Sequence, residues 1–201
     1  MMATTHGLWG MLVGLPVAIA APEFGAVALT AGLLGGILPD VDLYIGHRKT
    51  LHYPVLGIGG SLVAIALAWV VPTILTVALA IAITASTIHA ISDVFGGGLE
   101  LRPWEGTSEK AVYSHYHNRW FRPRRYIRYD GSPEDLLLAS IPVLPLIAVS
   151  DMLFQSVVVG LLMVSGVYVL LRRTLAETAR RLVEYVPTEI TPYVPRRYLV
   201  D

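Results

Sequence analysis

There is no cysteine anywhere in the 201-residue chain. That absence excludes disulfide frameworks, thiolate metal sites and cysteine nucleophiles, so any transition ion held here must sit on histidine nitrogen and carboxylate oxygen. Charge is scarce as well. Asp, Glu, Lys and Arg make up 15% of the residues against 54% hydrophobic, a balance that excludes an ordinary soluble domain. The formal net charge of zero argues neither for nor against nucleic acid, and no nucleic acid is expected as a partner. Basic residues are also missing from positions 1 to 6. Residues 7 to 20 are apolar and Ala18-Ile19-Ala20 resembles a cleavage site, but without a cationic leader this stretch reads as an uncleaved first membrane helix.

What the chain has is a series of apolar stretches, at residues 7 to 21, 24 to 38, 54 to 70, 73 to 92, 136 to 150 and 152 to 171, none with a charged side chain in its central part. Fifteen residues rise only about 22 Å against a hydrocarbon core of about 30 Å, so the first, second and fifth are short for full spans. Helix breakers separate each consecutive pair, at Ala21-Pro22-Glu23, Val71-Pro72 and Ser150-Asp151, which predicts helical hairpins. The expected fold is all-α: a polytopic membrane helix bundle of about six apolar segments arranged as three hairpins, with a C-terminal amphipathic helix over 172 to 186. Residues 1 to 171 form the membrane domain in this reading. Residues 172 to 201 form a cytoplasmic helix and an extended tail carrying Pro187, Pro192 and Pro195.

All fifteen Lys and Arg lie outside the three hairpin turns, at Arg48 and Lys49, between 102 and 128, or after 171. Three hairpins return those segments to one side, and the positive-inside rule makes that side cytoplasmic. The expected setting is the inner cell membrane, with polar loops and C-terminus in the cytoplasm. Gly10 with Gly14, and Gly32 with Gly36, have the small-xxx-small spacing of close-packed membrane helices.

Metal-ligand residue types arrive at the same boundary from three segments: His6; the loop with Asp40, Asp42, His47 and His52; and His89 with Asp93, four apart and so on one helix face. Singly, His6 reads as incidental and Pro39-Asp40-Val41-Asp42 as a capped turn. An ionisable pair at a lipid boundary, by contrast, is a functional signal. A mixed His and Asp set favours a divalent metal, zinc first, with manganese or iron as alternatives. Such an ion with an open position acidifies water to a pKa of about 7. Arg48 and Lys49 stand where cations would bind a phosphoryl oxygen, or they express the positive-inside bias alone. His115 and His117 could complete a metal site, or bind headgroups together with Arg122, Arg124, Arg125 and Arg128. Gly96-Gly97-Gly98 is expected to stop a helix after Asp93.

In order, Thr5-His6, Leu38-Pro39-Asp40-Val41-Asp42, His47-Arg48 with His52, and His89 with Asp93 resemble the YdjM-type (LexA-regulated) family of inner-membrane metal-dependent hydrolases. The likeness covers residues 5 to 104, and Tyr53 stands where that pattern often has a small hydroxyl residue. The resemblance implies a helical membrane protein whose metal centre is similar in ligand style to those of zinc-dependent phospholipases C and related phosphoesterases. It points to His6, Asp40, Asp42, His47, His52, His89 and Asp93. The expected activity is hydrolysis of a phosphoester, such as a phospholipid headgroup, with membrane lipid as partner. Asp40, His47, His52, His89 and Asp93 would hold the metal, His6 and Asp42 would complete the set or act as base, and Arg48 would steady the phosphate. Two other classes compete: a metal-binding or transport protein, and a non-enzymatic scaffold in which these side chains only cap helices.

Overall fold

Each predicted hairpin turn has a local cause in the computed structural model, which describes residues 1–194, 198 and 199. Helix α1 (Ala3–Ala20) ends as Ala21 leaves the helical region, and Pro22 opens a short 3-10 turn before α2 (Gly25–Ile37). Helix α3 (Leu56–Val70) gives way to α4 (Ile74–Ser92), where Thr73 and Thr76 form a reciprocal capping box. Segments α5 (Pro133–Ser140) and α6 (Val143–Val149) lead to α7 (Met152–Val183), started by Asp151 accepting from the Phe154 N–H at 3.1 Å. These caps satisfy donors that hydrocarbon cannot.

Among the described residues, four helices are long and apolar enough to cross a membrane: Ala3–Ala20, Pro22–Tyr44, Ile74–Phe95 and Met152–Val183. This corrects the expectation of about six spans. Leu56–Val70 is apolar but only 15 residues long. The fifth stretch is broken because Pro142 has no N–H to give the carbonyl four residues back. That carbonyl, on Leu138, instead accepts from Trp9 Nε1 at 3.0 Å. A second correction concerns the C-terminal amphipathic helix, which is not separate: α7 runs unbroken past residue 171 to Val183. The tail beyond Pro187 forms turns, including a 3-10 turn at Thr191–Tyr193, rather than an extended strand; Pro195 lies outside the described residues.

Packing begins with α1 against α2. A Cβ placed on Gly10 would lie 2.0 Å from the Gly32 carbonyl oxygen, and one on Gly36 would lie 2.3 Å from that of His6, so the four spaced glycines set how closely these helices meet. Helix α4 packs on α2 and α3, while α7 packs on α1, α5 and α6. The core between α1, α6 and α7 is built from Leu8, Met11, Leu15, Leu146, Phe154 and Val158.

The start of α1 and the ends of α2 and α4 share one end of the bundle with the polar segment 93 to 132. Helix α7 reaches that end at Ser165, whose Oγ lies 2.7 Å from Thr4 Oγ1. Beyond it, Arg172 makes a two-pronged pair with Asp130, Nε to Oδ2 at 3.0 Å and Nη2 to Oδ1 at 3.1 Å, and Tyr168 donates to Oδ2 at 2.7 Å. A two-stranded ribbon, β1 (Tyr113–Ser114) with β2 (Arg119–Trp120), completes the polar end.

Burial alone would raise the pKa of Asp130, but the Arg172 guanidinium outweighs it and holds the carboxyl below its ordinary range. A depressed carboxyl stabilises the fold above its unfolded pKa, and that contribution is lost as pH falls. Asp130→Asn should therefore cost about 2 kcal/mol at pH 7, with the gap to wild type closing below about pH 4, in thermal melts of detergent-purified protein. Gly10→Ala should lower Tm by roughly 3 to 10 °C in the same assay, since its methyl group cannot fit without parting the two helices.

Candidate metal centre

One carboxylate organises the loop after α2. Pro39 starts a 3-10 turn, Leu38–Tyr44, that buries Asp42 completely. Its Oδ1 accepts from His47 Nδ1 at 3.1 Å and from the Arg48 N–H at 3.2 Å; its Oδ2 accepts from His52 Nδ1 at 3.0 Å and from the Leu51 N–H at 3.1 Å. Four donors wrap residues 47 to 52 around a single side chain. Arg48 is held in the left-handed region, at φ 57°, a conformation that persists in a non-glycine residue only where its surroundings enforce it. Here its carbonyl accepts from the Tyr113 N–H at 2.9 Å and its Nη1 donates to the Gly97 carbonyl at 2.8 Å.

From the other side, α4 presents His89 and Asp93 one turn apart, each about 1% exposed. His89 Nδ1 lies 2.6 Å from the Gly36 carbonyl oxygen. A carbonyl only accepts, so Nδ1 carries the proton and Nε2 the lone pair of the neutral ring; Asp42 fixes the same tautomer on His52. The two Nε2 atoms then face each other at 3.2 Å. Two acceptors at that distance repel unless a cation lies between them. Two imidazole nitrogens on one tetrahedral ion, each about 2.0–2.1 Å from it, stand about 3.4 Å apart, close to what is observed.

Carboxylates complete the group. Asp93 Oδ2 lies 3.5 Å from His89 Nε2 and 3.6 Å from His52 Nε2, and Asp40 Oδ1 lies 3.6 Å from His89 Nε2. Ligand atoms of Asp40, His52, His89 and Asp93 all fall within 4.8 Å of one another, so these residues could hold a metal ion. Asp93 Oδ2 is buried and accepts no hydrogen bond, although Arg48 Nε lies 3.0 Å away. The guanidinium meets the charge of this buried oxygen, though not with a well-aligned hydrogen bond. Burial lowers the pKa of His52, yet hydrogen bonds to Asp42 and Asp93 outweigh it and raise the group above the ordinary imidazole range. A proton and a metal ion would compete for the same His52 lone pair.

The remaining candidate residues surround this group. His6 stacks on His89 with ring centroids 3.6 Å apart and places Nε2 3.1 Å from Asp93 Oδ1, where the Met1 amino group also sits at 2.9 Å. Asp42 stands behind His52, its oxygens occupied by four donors, in the outer position from which carboxylates orient metal-binding histidines. His47 is held at Nδ1 by Asp42 at 3.1 Å and is not one of the four residues whose ligand atoms fall within 4.8 Å of one another. His115 and His117 lie apart: His115 Nε2 meets the Lys49 carbonyl at 2.7 Å with its ring stacked on Tyr53, and His117 Nδ1 meets Ser114 Oγ at 2.9 Å. The carbonyls of Gly36 and Gly97, which aim His89 and Arg48, are functional groups that no side-chain motif discloses.

Access is from one direction. His52, His89 and Asp93 side chains are at most 1% exposed, whereas that of Asp40 is 22% exposed. Asp40 opens onto a cavity of about 270 Å³, lined also by His47 and Arg48.

No protein-family model, curated protein or solved structure matches this chain. The site's chemistry therefore rests on its own geometry.

His89→Ala should abolish stoichiometric divalent metal, measured by elemental analysis of detergent-purified protein. Asp42→Ala should weaken zinc by about 10- to 100-fold in competition with a chromophoric chelator. Wild-type affinity in that titration should rise with pH through and above the ordinary imidazole range, because the raised His52 holds its proton longer.

Proposed function

We propose that the protein is a membrane-bound metal-dependent hydrolase of a phosphoester, working at the cytoplasmic face of the inner membrane. The observation that carries this reading is the pair of opposed imidazole nitrogens on His52 and His89, closed in by Asp93 and Asp40 beside a cavity that also bears Arg48. Zinc is the proposed ion, with manganese and iron as alternatives for a mixed nitrogen and oxygen set. When bound, such an ion supplies Lewis-acid polarisation of a phosphoryl oxygen and acidification of water.

The chain's own residues divide the other tasks. Arg48, fixed by Gly97 and Asp93, offers an immobile cation to a phosphoryl oxygen. His47 lines the cavity with Nδ1 held by Asp42, an arrangement in which an imidazole relays protons. Asp42 serves by positioning both rings, because its own lone pairs are already engaged. His6 steadies Asp93 and His89. The resemblance of the motif order to the YdjM-type family supports the same chemistry, and the basic residues clustered at this end support the cytoplasmic assignment.

Transport is the weaker reading. Transporters gather their ligands near the bilayer midplane on broken helices, whereas His89 and Asp93 occupy the last turn of α4 and the 3-10 turn after it.

Detergent-purified wild type should turn over bis(p-nitrophenyl) phosphate, lose that activity to a chelator and regain it with zinc, while His89→Ala and Asp93→Asn stay inactive. Absence of stoichiometric metal, or hydrolysis indifferent to both chelator and His89→Ala, would overturn the proposal.

A further inference from the structure

The loop that carries Arg48 satisfies its backbone from two sides. Its N–H groups bond within the loop: that of Arg48 donates to Asp42 Oδ1 at 3.2 Å, and those of Lys49 and Thr50 both donate to the Gly46 carbonyl at 3.0 Å. Its carbonyls bond to the ribbon instead. The Arg48 carbonyl accepts from the Tyr113 N–H at 2.9 Å, and the Lys49 carbonyl accepts from His115 Nε2 at 2.7 Å. One end of the ribbon thus holds two successive carbonyls of the loop.

The same segment continues to the second carrier of the metal group. Past β2, the Arg124 N–H donates to the Val94 carbonyl at 2.8 Å, the Ile127 N–H to that of Phe95 at 3.1 Å, and the Arg125 N–H to that of Gly96 at 3.1 Å. These three carbonyls follow Asp93 directly in the chain. Residues 113 to 127 therefore bond on one side to the loop holding Arg48 and on the other to the turn holding Asp93. Arg48 joins the same two segments from within, through Nε beside Asp93 and Nη1 on the Gly97 carbonyl.

His115 is the ribbon side chain that bonds the loop. Its ring is stacked on Tyr53 with centroids 4.7 Å apart and stands edge-on to Tyr113 at 5.1 Å, contacts that aim Nε2 at the Lys49 carbonyl. The left-handed backbone of Arg48 lasts only while its anchors hold. With its N–H pinned on Asp42, any change of φ at Arg48 swings the guanidinium away from its place beside the cavity.

We propose that residues 113 to 127 form a brace that fixes Arg48 as the anion-binding cation of the cavity, and that His115 is its positioning residue. The task given to Arg48 rests on the hydrolase reading, whereas the bracing geometry does not.

Two substitutions separate the hydrogen bond from the ring contacts. His115→Phe keeps a ring and removes the donor; His115→Gln removes the ring and keeps a nitrogen donor. His117→Phe is the control, since that histidine bonds within the ribbon, to Ser114. Calorimetric binding of inorganic phosphate to detergent-purified, zinc-supplemented full chain is measured together with kcat/KM for bis(p-nitrophenyl) phosphate and with zinc affinity. His115→Phe should weaken phosphate and lower kcat/KM by about three- to tenfold, the worth of one hydrogen bond. His115→Gln and His117→Phe should match wild type, and zinc affinity should be the same in all. In an Arg48→Ala background, His115→Phe should cost nothing further, because the two act through one group. Phosphate affinity unmoved by His115→Phe overturns the proposal, as does a His115→Gln variant no better than His115→Phe, a loss of zinc in step with phosphate, or a full additional loss in the Arg48→Ala background. Turnover equal in wild type and His115→Phe overturns the brace and leaves the hydrolase reading intact. Phosphate binding that depends on Arg48 and His115 without any turnover supports the brace and overturns the hydrolase reading. Wild type that binds no phosphate and hydrolyses nothing overturns both.

Discussion

Charge enclosed next to hydrocarbon has to be matched group by group, and that requirement shapes the polar end of this bundle. Unpaired ions there would be strongly destabilising. Asp42 is satisfied by four donors, Asp130 by Arg172 and Tyr168, and Asp135 by the Met2 N–H, the Thr5 hydroxyl and the Gly131 N–H. The cluster formed by His52, His89, Asp93 and Asp40 is matched differently: its tautomers are fixed from behind, two imidazole lone pairs converge, and the charge of Asp93 is met by Arg48 Nε at 3.0 Å, by the Met1 amino group and by His6. Converging acceptors of this kind leave one place for an added cation.

The glycine contact between α1 and α2 serves the same place from a distance. Close approach at Gly36 brings the backbone of His6 against α2 and leaves the Gly36 carbonyl pointing at His89 Nδ1. Helix packing and ring orientation are thus one constraint. Gly35 repeats the device toward α4, where a Cβ would lie 2.3 Å from the Ala82 carbonyl oxygen, so a single glycine-rich helix sets the spacing of the two helices that deliver His6, His89 and Asp93.

Much of this was legible in the residues themselves. The hairpin turns follow from Pro22, Pro72 and Asp151, because proline and capping chemistry act locally. The gathering of His and Asp at one end follows from counting reversals between charged segments. Span number was not legible, because Pro142 ends one helix and begins another, and only the fold reveals that the Trp9 indole takes up the carbonyl this frees. The division of labour between Asp40 and Asp42 was legible only in part: Asp40 was expected on the metal and Asp42 as a further ligand or base, whereas the 3-10 turn sends Asp40 toward the group and Asp42 behind His52. The unbroken course of α7 escaped as well, since the periodicity of its charged half says nothing about whether a break precedes it.

That continuity has a mechanical side. Helix α7 carries Val164 and Tyr168 on the cavity wall and, with no hinge between, Arg180 and Arg181 near its far end. With no break between them, the cavity wall and the basic end form one piece, and that piece is tied to the polar segment at two points along its length, to Asp130 through Arg172 and to Arg102 through Glu177.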